Sequence, residues 1–188
     1  LVDEAAIERF MAAVPAHVVV VFDEAYIELL PPERQPDTLR YVREGRNVIV
    51  LRTFSKAYGF AGLRVGYAVA PAACVQLLNR VRQPFAVNTL AQVAAVAALD
   101  DTDHVRRTCA MVQKGIATLE RAFRQMKLEY VPAAANFILV KVGRGREVFA
   151  ALQREGVIVR PVDGYGLPDY IRVTVGTPAE NRRFLTAL

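Results

Sequence analysis

The residues with most to offer chemically lie between Leu51 and Tyr67, in LRTFSKAYGFAGLRVGY. A single lysine, Lys56, stands just past the run Val48-Ile49-Val50-Leu51. That run is short and β-branched, the pattern of a buried strand. The stretch after it carries Gly59, Gly62 and Gly66 and has no helical period, so it reads as a loop. Ligands in α/β proteins gather at the carboxyl ends of strands. Ser55, Lys56, Tyr58 and Arg64 are therefore candidates for one small pocket. A lysine amine can take up and return a proton, and arginines suit phosphates and carboxylates. A Ser-Lys pair met alone in a loop is most often just solvated, so the weight rests on the whole ordered string.

Two further places deserve the same question. Val18 to Phe22 is an unbroken apolar run, the pattern of a parallel strand buried on both faces. Asp23, Glu24, Ala25 and Tyr26 follow directly. A carboxylate there can be no more than a turn cap, but against a ring nitrogen it favours the protonated, charged form. Arg160 follows Gly156-Val157-Ile158-Val159, and Arg172 lies inside Tyr170-Ile171-Arg172-Val173-Thr174-Val175-Gly176. If Ile171, Val173 and Val175 face a core, alternation turns Arg172 and Thr174 the other way. The plain alternative is a solvated strand arginine. The sharper one is a planar guanidinium gripping an anion through two parallel hydrogen bonds.

Together these strings resemble the fold-type I pyridoxal-phosphate enzymes. Ser55-Lys56, Ala61-Gly62-Leu63-Arg64 and Gly66-Tyr67 are most similar to the histidinol-phosphate aminotransferase branch. Asp23-Glu24-Ala25-Tyr26 resembles that family's second motif, and Ile171 to Thr177 its carboxylate-binding segment. The resemblance implies the cofactor pyridoxal 5'-phosphate, bonded through its aldehyde to Lys56. It implies that Ser55 and Arg64 bind the cofactor phosphate. Asp23 would pair with the pyridinium and the Tyr26 hydroxyl with the ring's phenolic oxygen, so that Lys56, Asp23 and Tyr26 are the catalytic set. Glu24 is left a structural role. Histidinol phosphate has no α-carboxylate, so Arg172, with Arg160 as partner, would take its phosphate instead. The implied reaction moves an amino group between histidinol phosphate and 2-oxoglutarate, in histidine biosynthesis, and the implied assembly is a homodimer. A decarboxylase of phosphorylated threonine and an aromatic aminotransferase share the lysine segment and stay open. So does a non-enzymatic regulator carrying an aminotransferase-like module.

The elements that must position these groups follow from the rest of the chain. Its 188 residues are 53% apolar and 23% charged, enough for one large or two small domains. Asp3 can cap a helix carrying Ile7, Phe10, Met11 and Val14, which Pro15 ends. A short helical piece, Thr38 to Glu44, leads to the strand before Lys56. Gly66 to Ala70 is another strand. Pro71 opens a helix with Val75, Leu78 and Val81 inward, and Asn88 caps an alanine-rich helix built for close packing. Asp101 or Asp103 starts a longer one with Val112, Ile116, Leu119, Phe123 and Met126 on one stripe. Strands are expected at Leu128–Val131, Phe137–Val142, Val157–Val159 and Tyr170–Val175, with helices at Gly145–Glu155 and Pro178–Leu188. Thr177, Pro178 and Glu180 form a capping box for the last.

The fold class that the resemblance implies is α/β, the pyridoxal-phosphate-dependent transferase fold. Residues 1–103 read as part of the large, mostly parallel-sheet domain that binds the cofactor, and 104–188 as the small C-terminal α+β domain. The boundary falls near Asp101–Val105. The resemblance covers about the second half of a family member. A partial chain is therefore expected, without the family's upstream phosphate loop and ring-stacking aromatic, and inactive by itself.

The net charge is +5, but the arginines are scattered rather than interleaved with aromatics, which argues against nucleic acid. No apolar run approaches a membrane span, and no basic signal segment stands at Leu1. Cys74 and Cys109 make no disulfide framework, and neither they nor the isolated His17 and His104 have metal spacing. A reduced, cytoplasmic setting with small-molecule partners, an amino donor and a keto acid, is the expectation.

Overall fold

The computed structural model describes residues 1–188. By its internal contacts the chain separates into two compact units, Leu1–Arg106 and Arg107–Leu188.

In the first unit the Asp3 carboxylate accepts from the Ala6 amide at 2.7 Å and starts α1, Glu4–Ala13. A four-residue strand, β1 (Val20–Asp23), pairs in parallel with β2 (Val48–Thr53). A third strand, β3 (Gly66–Val69), runs antiparallel to β2, so the sheet has order β1-β2-β3 and only one of its two pairings is parallel. The helix α2 (Leu39–Arg43) and α1 cover one face, where Ile7, Met11, Val20, Tyr41, Val48 and Val50 form a buried cluster. The other face is open. Val19 and Val21 are more than half exposed, at 56% and 52%, which corrects the expectation of a first strand buried on both sides. An apolar run gives a strand's capacity for burial; whether a layer covers each face depends on the elements around it.

The same lesson holds for α3 (Ala72–Val81). It forms where Pro71 predicts, yet none of its residues is buried. The expected inward stripe of Val75, Leu78 and Val81 lies on the surface. Asn88 does cap α4 (Thr89–Asp100), accepting from the Ala91 amide at 2.8 Å. The alanines do what their size allows: Ala91 and Ala95 bury against Phe54 and Val65. Around them Leu90, Val93 and Val96 stay exposed.

A 24-residue helix, α5 (Thr102–Gln125), runs on into the second unit, with Val112, Ile116, Leu119 and Phe123 buried as its stripe predicts. Met126 falls beyond the helix end and is largely exposed. Four antiparallel strands follow, β4 (Tyr130–Val131), β5 (Phe137–Lys141), β6 (Arg160–Pro161) and β7 (Tyr170–Thr174), in sheet order β4-β5-β7-β6. Two helices, α6 (Gly145–Arg154) and α7 (Pro178–Ala187), complete the unit, the latter with its capping box formed. The expected strand at Val157–Val159 is displaced. Val157 bonds back to Leu152 through its amide (2.8 Å), and pairing begins only at Arg160. Val157 and Val159 are still buried, so the apolar signal was real but marked packing rather than pairing.

Gly115 explains the close approach of α5 to the end of β7. A methyl group there would collide with Val175 and press on Asn181, whose side chain bonds both the amide and the carbonyl of Gly176.

Candidate active site

Parallel pairing of β1 with β2 sets Asp23 beside Leu51, so the segments leaving both strands emerge at the same end of the sheet. Tyr26 follows β1 in its turn and Lys56 follows β2 in its loop. The two meet: the Lys56 Nζ lies 5.2 Å from the centre of the Tyr26 ring. Asp23 is exposed at the strand end, and its Oδ1 accepts from the Ala25 amide at 3.1 Å. The carboxylate thus serves as a turn cap, yet its two oxygens have capacity for several more bonds.

The lysine loop is pinned from both sides. Phe54 and Ala57 are buried, at 4% and 0% exposure, and flank the half-buried Ser55 and Lys56. The Phe54 amide donates to the Val65 carbonyl, and the Phe60 amide to the Phe54 carbonyl (2.9 Å), which closes the loop on itself. Gly59 donates to the Lys56 carbonyl at 3.0 Å with φ of +76°, a conformation that favours glycine. Arg64 is left-handed as well, at φ 54°, ψ 50°, without a glycine's freedom. Such a residue costs on the order of 1 kcal/mol and persists where the surroundings require it. Its Nη1 donates to the Ala61 carbonyl at 3.0 Å, which holds the exposed guanidinium near the loop. Tyr58, grouped with the pocket on sequence grounds, packs its ring at a tilt against Phe54, centre to centre 4.8 Å, and so packs the loop from within.

Behind the loop lies a polar group that the sequence did not announce as a unit. The Glu24 side chain, 6% exposed, accepts from Arg52 Nε and Nη2, both at 2.9 Å. Its other oxygen accepts a hydrogen bond from the hydroxyl of the buried Thr38. Burial works against the Arg52 charge, yet hydrogen bonds to Glu24 and to Tyr67 on β3 hold its pKa above the usual arginine value. Nearby, burial pushes the Glu28 carboxyl above the usual carboxylate range, against its own backbone hydrogen bond and the Arg52 charge. The available signal was Arg52 itself: a charge in the middle of Val-Ile-Val-Leu-Arg-Thr needs a buried partner.

The second unit carries the other two arginines side by side. Arg160 on β6 stands directly opposite Arg172 on β7. As alternation predicts, Ile171, Val173 and Val175 are buried and Arg172 faces the other way. The Arg172 Cζ lies 4.9 Å from the centre of the Phe137 ring, and its Nε is buried without a hydrogen-bond partner. Like charges opposed in a sheet pair repel. Two guanidiniums in this register are an arrangement that an anion relieves.

Known proteins with this sequence pattern can now be set beside these features. A histidinol-phosphate aminotransferase from Akkermansia muciniphila is 57% identical over 188 residues, all of this chain and 51% of that protein. Histidinol-phosphate aminotransferase 2 from Ralstonia nicotianae is 54% identical over 187 residues, 97% of this chain and 50% of that protein. The chain spans about half the length of the curated relatives it matches. Among solved structures, the histidinol-phosphate aminotransferase of Sinorhizobium meliloti in complex with pyridoxal-5'-phosphate superposes with a TM-score of 0.88 at 29% identity. That match covers 100% of this chain and 52% of that one. The family model for aminotransferase class I and II matches residues 1–188 without interruption. A lysine loop leaving a parallel strand beside an Asp-Glu-Ala-Tyr turn is thus no chance pattern: the chain belongs to the class I and II aminotransferases.

Proposed function

We propose that the protein acts as a pyridoxal-phosphate-dependent aminotransferase that moves an amino group between histidinol phosphate and 2-oxoglutarate. The observation that carries this is the meeting of Lys56 and Tyr26 at the end of paired parallel strands, next to Asp23. The donor set suits the cofactor. An amine for an aldehyde, a carboxylate for a ring nitrogen, a phenol for a ring oxygen, and a hydroxyl with a guanidinium for a phosphate all lie on two adjoining segments. We take residues 1–103 as the cofactor-binding domain and 104–188 as the small domain of a cytoplasmic homodimer. No helix is long and apolar enough to cross a membrane.

When bound, the cofactor supplies an aldehyde for covalent capture of amino groups and a ring that draws electrons from the neighbouring carbon. Lys56 is the residue that would hold that aldehyde. Its Nζ would be the group that moves a proton to and from the substrate carbon bearing nitrogen. Asp23 keeps the ring nitrogen protonated by its charge. Tyr26 donates from its hydroxyl to the ring oxygen. Ser55 and Arg64 hold the cofactor phosphate. Arg172, with Arg160, orients the substrate's phosphate through its fork.

Paired arginines suit histidinol phosphate and phosphothreonine alike, and suit an unphosphorylated aromatic amino acid less well. The relatives named above favour the first. The test of the site is to add pyridoxal phosphate, reduce with borohydride and map the modified peptide by mass. The adduct should sit on Lys56; an adduct on Lys114, Lys127 or Lys141 in its place would overturn the assignment. Assays of a full-length chain with histidinol phosphate, phosphothreonine and phenylalanine as sole amino substrates separate the three reactions.

A further inference from the structure

We propose that Glu24 and Arg52 form a positioning clamp that sets where Lys56 stands relative to Tyr26 and Asp23. This rests on the proposed role of Lys56 and goes beyond it, since neither clamp residue touches the reacting atoms.

The argument is one of attachment. Glu24 is the residue directly after Asp23 and two before Tyr26. Arg52 is four before Lys56. The two segments that carry the chemistry are thus each anchored within a few residues by the same ion pair. The anchoring is more than a point contact. Arg52 presents Nε and Nη2 to one carboxylate oxygen of Glu24, both at 2.9 Å. The Glu24 amide also donates to the Leu51 carbonyl at 2.9 Å, so backbone and side chain together tie the end of β1 to β2. Thr38 fills the remaining oxygen, and Arg52 stands opposite Tyr67 of β3 in the antiparallel pairing. One carboxylate and one guanidinium therefore join all three strands at the edge from which both segments leave. Glu24 is buried while Asp23, its neighbour, is exposed. Fixing Glu24 on the inner face fixes Asp23 on the outer one.

A pair that served stability alone would be replaceable by anything that kept the fold. A positioning pair is not, because a shift of about 1 Å in a reacting group can cost on the order of 100-fold in rate. Lys for Arg keeps the charge but loses the rigid fork.

The experiment compares the labelling of Lys56 with that of the exposed Lys114 in the same molecule. The 188-residue chain is treated with limiting pyridoxal phosphate, reduced with borohydride, and the adducts at Lys56 and Lys114 are quantified by peptide mass. Arg52→Lys, Glu24→Gln and the double variant Glu24→Leu/Arg52→Leu are compared with the parent, with circular dichroism and a thermal melt on each. The double variant leaves no unpaired charge behind and so is the one most able to keep the fold. The expected result is a ratio of Lys56 to Lys114 adduct that falls by about tenfold in a folded variant, since simple loosening of the chain would not single out Lys56. A ratio within about twofold of the parent in any folded variant overturns the clamp. So does unfolding of all three, which would make the pair an element of stability. If the parent shows no preference for Lys56, the role given to that lysine is wrong and the clamp falls with it, an outcome distinct from the other two.

Discussion

Replacing Arg172 by methionine should make the protein more stable and less able to hold an anion. The buried Nε of Arg172 has no hydrogen-bond partner, and a stranded buried donor costs about 1–3 kcal/mol. Arg160 stands directly opposite, and like charges so placed in a sheet cost up to about 1 kcal/mol. Against these, the guanidinium carbon at 4.9 Å from the Phe137 ring centre contributes about 0.5–1 kcal/mol. Methionine keeps the apolar contact with Phe137 and removes both penalties. The balance favours Arg172→Met by roughly 1–2 kcal/mol. In a chain of this size each kcal/mol moves Tm by about 2–4 °C. Thermal and urea melts read the stability directly. The same melts repeated in inorganic phosphate read the site, because a ligand that binds only the folded state raises Tm. The parent should gain from phosphate and the Met variant should not. A variant less stable than the parent, or an equal phosphate effect on both, would refute the picture of two arginines held together for an anion.

Three other outcomes are expected. In a full-length chain Asp23→Asn should lower turnover by about 100-fold or more while cofactor retention persists through Ser55 and Arg64; turnover within about threefold of the parent would leave Asp23 as the turn cap its bond to Ala25 already makes it. Gly115→Ala should destabilise by about 1–3 kcal/mol, the overpacking against Val175 and Asn181 outweighing a helix-propensity gain of up to about 1 kcal/mol; an alanine variant as stable as the parent in urea would contradict the close approach. Glu28 binds its proton more tightly folded than unfolded, so its contribution is fully present below the ordinary carboxylate range and is lost as pH rises through the raised value. The stability difference between parent and Glu28→Gln should therefore shift in favour of Gln as pH rises above the ordinary carboxylate range, and a difference independent of pH would count against the burial argument.

Much of the local structure was legible because it depends on neighbours in sequence. The Asp3, Asn88 and Thr177–Glu180 caps, the α5 stripe and the alternation around Arg172 all involve groups a few residues apart. The ordered motifs made the lysine loop and the Asp-Glu-Ala-Tyr turn recognisable as one family's pieces. What the sequence hid was long-range. That Glu24 would meet Arg52 depends on strand pairing across 28 positions, not on spacing. Whether Val19, Val21 or Val81 would be covered depends on what lies over them, and an apolar pattern is silent on that. The displaced β6 shows the same limit, since Val157 and Val159 bury without pairing and only Arg160 finds the register that sets it against Arg172.

The open face of the first sheet has a practical consequence. With order β1-β2-β3, β1 is an edge strand, and Val19 and Val21 lie exposed on and just before it. A β-branched edge with no proline, and a charge only at its last residue, Asp23, is a template for another copy. Such apolar contact strengthens on warming from the cold and in sulfate or phosphate salts. The charge that opposes it fades toward the isoelectric point, near pH 9.5. Cold, dilute, chloride-buffered solutions near neutral pH should keep the chain dispersed, whereas ammonium sulfate or alkaline buffers should bring it out of solution as associated material. Light scattering across those conditions, with Val21→Lys as the dispersed comparison, would turn a feature of the fold into a recipe for handling it.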